Sequence, residues 1–222
     1  MDIDVTEPAP ADNALRRRLL GIGLGGAAVS LLPFLVGRAA ATTPGPGTAD
    51  STPATTPATT TTAPPKRPTD DDVALLGFAQ SVELAARDLY DDALAGDVFD
   101  ADTRAVVATI RESHDAYAAA LSGMLGRSAP QEANSIGSDL ASSFTGDASS
   151  VLTSASKLES TAVATHLDIL EKLRGTDGAS LIASILVVEA RHGTVLAYLN
   201  GATSLDELLV SPEADALTLA GA

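Results

Sequence analysis

The chain has 222 residues, no cysteine, no tryptophan, 3% aromatic residues and a formal net charge of −15. The lack of cysteine excludes disulfides, thiolate metal sites, cysteine nucleophiles and a lipidated-cysteine anchor. From Asp70 onward there are 24 acidic and 8 basic side chains, a net of −16; such a surface repels phosphate backbones and anionic lipid, and with few aromatics for base stacking it argues against nucleic acid as a partner.

Residues 1–41 read as an export signal. Arg16-Arg17-Arg18-Leu19-Leu20 opens an apolar run from Leu19 to Gly37, and Ala39-Ala40-Ala41 offers small residues for cleavage. The segment resembles a twin-arginine signal, although Leu15 stands where a Ser or Thr is usual. Left uncleaved, the apolar run would nearly span a bilayer, so any membrane contact is expected through this segment alone. Residues 42–70 form a Thr-, Pro- and Ala-rich spacer, expected to be extended and disordered because proline fixes φ and removes amide donors.

The remainder reads as helical, so the expected fold class is all-α. A first helix runs from about Asp71 to Ala95 and stops at Gly96. Asp100 caps a second that ends near Gly126. Asp147 caps a third ending at Gly175, and Asp177 caps a fourth ending at Gly201. Ser204-x-x-Glu207 is a capping box for a short C-terminal helix, and the tail after Pro212 is expected to be loosely held. Short, long, short connections make two antiparallel hairpins joined by one crossover. About 20 residues of extended chain, at about 3.3 Å each, are enough to cross a bundle of about 30 Å. The domain thus spans residues 71–205, with a tail over residues 206–222.

Two halves of this domain carry the same chemistry. Glu83 precedes Arg111-x-x-His114 by a Glu-to-His separation of 31 residues, and Glu159 precedes Glu189-x-x-His192 by 33. At helical spacing Glu83 shares a stripe with Leu76, Ala79, Ala86 and Tyr90, while His114 lies with Val107, Ile110 and Leu121. Glu159 lies with Leu152, Ala155 and Val163; Glu189 and His192 lie with Ile182, Ile185 and Leu196. Isolated carboxylates in an apolar seam are costly unless protonated, paired or metal-bound, so three of them call for compensating positive charge.

This arrangement resembles the ferritin-like superfamily of di-metal carboxylate proteins, in which two helices each give one Glu and the other two each give Glu-x-x-His. The resemblance covers about Asp71 to Gly201, and Leu158-Glu159-Ser160-Thr161-Ala162 and Val188-Glu189-Ala190-Arg191-His192 are similar to exported bacterial members. It implies a ferritin-like four-helix bundle in which Glu83, His114, Glu159, Glu189 and His192 hold metal. Arg111 departs from the pattern, which places a bridging Glu there. Three carboxylates and one guanidinium leave two negative charges, which one divalent ion neutralises. The expectation is therefore one iron or manganese ion per chain, or none, with Arg111 paired to Glu83 or Glu189 in place of a second ion.

With such ligands, oxygen- or peroxide-related redox chemistry is the expected activity. The alternative is a metal-free structural or protein-binding module of the cell envelope. Tyr90 and His166 each follow a Glu by seven residues and are expected to be core side chains with satisfied polar tips, since two turns, about 10 Å, separate each from that Glu. The Asp70-Asp71-Asp72 run is expected to cap the first helix. A peptidase or nucleophilic hydrolase has little support, because neither His-Glu-x-x-His nor a serine elbow is present. Nothing in the sequence supports an oligomer or a storage shell.

Overall fold

The computed structural model describes residues 63–129, 136–211 and 213–219; the expected export signal and most of the spacer lie outside them. The described residues are helical, with no strand among them. Helix α1 spans Asp70–Ala95, α2 Ala101–Leu125, the short α3 Ile136–Leu140, α4 Ala148–Lys172, α5 Thr176–Leu199 and α6 Leu205–Leu208. The two hairpins are α1 with α2 and α4 with α5; α1 packs on α4 and α2 on α5. This is the all-α bundle with one long crossover that the loop lengths imply. The crossover carries structure of its own. A 3₁₀ turn over Ala141–Phe144 lies on α1 and α4 and buries Phe144.

Most helix ends follow their caps. Asp100 accepts from Thr103 N at 2.7 Å and Asp147 from Ser150 N at 2.8 Å, and the Ser204–Glu207 box closes α6. Two expectations need correction at the opposite end of the bundle. The cap of α1 is Thr69, reciprocated by Asp72 in a capping box. Asp72 is fully buried and also accepts the N–H groups of Arg174 and Gly175, both at 2.9 Å. It therefore ties the start of α1 to the α4–α5 turn, and α4 stops at Lys172 rather than at Gly175.

Asp177 does not cap α5; Gly175 stands at the cap position. The first amides of α5 are satisfied from the spacer instead, Thr176 N by Pro65 O at 3.0 Å and Asp177 N by Lys66 O at 2.9 Å. The last residues of the expected disordered spacer are thus part of the domain. Gly175 allows this approach, because a Cβ there would lie 2.7 Å from Arg67 O and 2.9 Å from Pro68 Cα. Gly175→Ala should accordingly cost about 1–3 kcal/mol by overpacking against fixed backbone. Gly123→Ala, at an exposed helical site with nothing within 4 Å of the new methyl, should stabilise by about 0.5–1 kcal/mol. Urea denaturation midpoints of the two variants moving in the same direction would contradict this assignment.

The tail is also held. Ser211 N donates to Ser160 Oγ at 3.3 Å and Leu217 N to Thr165 Oγ1 at 2.9 Å, so the segment runs along α4. Inside the bundle, Leu76, Leu121, Ile169, Ile182 and Ile185 form an apolar layer toward the α4–α5 turn. Leu89, Val107, Leu152 and Leu196 are buried toward the other end. The charged side chains of the seam lie between these two layers.

Candidate metal centre

Each of the four long helices α1, α2, α4 and α5 places a Glu or His at mid-length, facing inward. Glu83, His114, Glu159, His166, Glu189 and Tyr90 are all fully buried, and the His192 side chain is 12% exposed. Gly193 leaves room for the segment after α6, since a Cβ at this position would lie 3.3 Å from Val210 Cγ1.

Glu159 is the hub. Its Oε1 accepts the Tyr90 hydroxyl at 2.5 Å and lies 3.1 Å from His114 Nε2, while its Oε2 is 3.4 Å from His192 Nδ1. The other His114 nitrogen, Nδ1, is 2.7 Å from Glu83 Oε2, so one imidazole joins the carboxylates of α1 and α4. Tyr90 stacks on the His114 ring at 5.4 Å and meets Phe144 edge-on at 5.9 Å, which brings the crossover to the cluster.

His166 is the residue the sequence reading undervalued. Its Nδ1 lies 2.7 Å from Glu189 Oε2 and its Nε2 3.4 Å from Glu83 Oε1. The axial distance from Glu159 is real but beside the point. Side chains lean toward the N-terminus of their own helix, so His166 on α4 and Glu189 on the antiparallel α5 lean toward each other. The sequence signal was a histidine in register with the apolar stripe of α4; its partners lie on other helices and have no fixed spacing from it.

Arg111 requires the opposite correction. Its guanidinium pairs with Asp91 at 2.9 Å through both Nε and Nη2, and approaches Asp115 at 3.8 Å. The side chain is 28% exposed and Asp91 50%. It pairs with neither Glu83 nor Glu189, because its long stem carries the charge out to the acidic surface. Arg111→Ala should therefore leave the interior intact and cost no more than about 1 kcal/mol, as expected of an exposed ion pair. A collapse in thermal stability would restore Arg111 to the cluster.

The positive charge in the interior comes from imidazoles. Burial works against a charged His114, but Glu159 and Glu83 outweigh it and hold its pKa well above the ordinary 6.5. His166 is likewise opposed by burial and raised by Glu189 and Glu83, to about 9. Burial would raise Glu159, yet His114 and His192 bring it far below the usual carboxylate value. Glu189 is pushed up to about 7 by burial and by Glu83 and Glu159, against the pull of His166. His114, His166 and Glu189 thus hold their protons more tightly than usual, and Glu159, flanked by two histidines, less tightly.

Two sets of ligand atoms lie within 4.8 Å of one another, His114–Glu159–His192 and Glu83–His114–Glu189. Five buried atoms, Glu83 Oε1, Glu159 Oε2, Glu189 Oε1, His166 Nε2 and His192 Nδ1, have no hydrogen-bond partner among the described residues. Folded interiors rarely leave such groups unsatisfied. Oxygen and imidazole donors aimed into one space fit a divalent transition-metal ion. The residues present are thus compatible with a metal site.

Comparison with known proteins agrees with this geometry. No curated protein and no solved structure matches the chain. A family model described as a ferritin-like domain matches residues 71–202, which contain α1 from its second residue, α2 to α5 and every member of the cluster. That span is more than half of the chain, and together with the fold it shows that the protein belongs to the ferritin-like domain family.

Proposed function

We propose that this chain is an exported ferritin-like domain that binds one redox-active divalent ion, iron or manganese, and handles oxygen or peroxide there. The observation that carries the reading is the set of five buried carboxylate and imidazole atoms that make no hydrogen bond among the described residues, four of them facing each other in pairs at 3.4 Å. The ion would draw its ligands from among Glu83, His114, Glu159, Glu189 and His192, in the set His114–Glu159–His192 or the set Glu83–His114–Glu189, and when bound supplies redox chemistry at an open coordination position. A single ion is favoured because His114 belongs to both donor sets. Serving two ions at once would require that ring to give up both protons.

The protein's own contribution is positioning and exclusion. Tyr90 holds Glu159, and Glu83 and Glu159 orient His114. Apolar layers on both sides keep bulk water out. His192, the only partly exposed member, marks the side from which small oxidants would arrive. Export is supported by the twin-arginine-type segment in residues 1–41, a kind of signal that suits a domain folded and loaded before crossing the membrane.

One observation favours a second reading, a metal-free helical module of the cell envelope. His114 and His166 each lie 2.7 Å from a carboxylate, so protonated imidazoles can neutralise the seam without metal. The metal-to-chain ratio of natively exported protein, with thermal scans before and after chelation, separates the two. The metal reading expects about one ion per chain and a lower unfolding midpoint after its removal. No bound metal, and no shift on adding Fe(II) or Mn(II), would leave the metal-free module standing.

A further inference from the structure

We propose that His166 is a direct ligand of the interior ion, bound through Nε2 beside Glu83. This rests on the metal-binding reading above and adds to it a residue outside the Glu and Glu-x-x-His pattern. His166 Nδ1 is 2.7 Å from Glu189 Oε2. Once metal displaces the Nε2 proton, donation of Nδ1–H to that carboxylate leaves the lone pair on Nε2, the arrangement by which a carboxylate prepares a histidine for metal.

Nε2 and Glu83 Oε1 are both buried, both lack a hydrogen-bond partner among the described residues, and lie 3.4 Å apart. Two donors about 2.1 Å from one ion, at octahedral or tetrahedral angles, stand about 3.0–3.4 Å from each other. Tyr90, at the equivalent position of the first half, instead satisfies its hydroxyl on Glu159. The two halves therefore use this position differently, and the α4 side brings a nitrogen donor to the seam while Arg111 leaves it. His166 would thus add a nitrogen donor on the Glu83 side of the seam, making that side less carboxylate-rich.

The chain has three histidines, so full-length protein labelled with ¹⁵N-histidine gives three imidazole ring systems that can each be assigned by NMR. On adding Zn(II) to metal-free protein, His166 Nε2 should move to the metal-bound range while Nδ1 stays protonated. His166→Gln should weaken Zn(II) binding about 10- to 100-fold, the range for losing a supporting group at a metal site or more. If the His114 or His192 ring responds and His166 Nε2 does not, the ligand assignment falls while metal binding stands. If no ring responds, metal binding falls and this assignment with it. The wild-type spectrum decides the matter even if the variant does not fold.

Discussion

Replacing Glu159 with alanine should lower the thermal unfolding midpoint by roughly 10 °C and remove metal uptake. Glu159 is fully buried and is contacted by Tyr90, His114 and His192. Its loss strands a protonated His114 with one carboxylate fewer and leaves the Tyr90 hydroxyl without its acceptor. Breaking a buried charge pair from one side costs about 3–5 kcal/mol. A domain of this size loses about 2–4 °C per kcal/mol. Glu112→Ala, at an exposed position on α2, should change stability by less than about 0.5 kcal/mol. Calorimetry on both variants checks the claim, and equal midpoints would mean that Glu159 is not the hub of the interior.

Metal-free protein should lose stability between pH 6 and 9, whereas stabilisation by added metal should grow over the same interval. His166 has a folded-state pKa of about 9 against an ordinary 6.5. Its contribution is fully present below 6.5 and is lost as pH rises through 9. At about 1.4 kcal/mol per pKa unit, this amounts to roughly 3 kcal/mol. His114, also raised, acts in the same direction. Glu189, raised to about 7 from 4.5, loses its contribution between those values. Glu159 is depressed, so its contribution is present above 4.5 and lost only in acid. Metal must displace protons from the imidazoles, so its affinity rises with pH. Thermal scans at pH 6, 7.5 and 9, with EDTA and with saturating Mn(II), should diverge as pH rises. Parallel curves would show that protons and metal do not compete for these side chains.

Much of the fold was legible because helix signals are local. Asp100, Asp147 and Ser204 cap the helices expected of them, since a cap is decided within three or four residues. The start of α5 was not legible. Its amides are satisfied by carbonyls more than 100 residues earlier, in a stretch whose composition suggests disorder. The tail misled for the same reason, because its anchors are hydroxyls on α4.

By itself the sequence determined that four apolar stripes carry Glu83, His114, Glu159, Glu189 and His192 at matching heights, because helical periodicity fixes which residues share a face. Tertiary structure alone decided which charges meet. His166 enters the cluster because antiparallel helices lean its ring and Glu189 together. Arg111 leaves because Asp91 on the neighbouring helix is within reach of its flexible stem. Periodicity determines the direction a side chain faces; only the packed helices determine what it reaches.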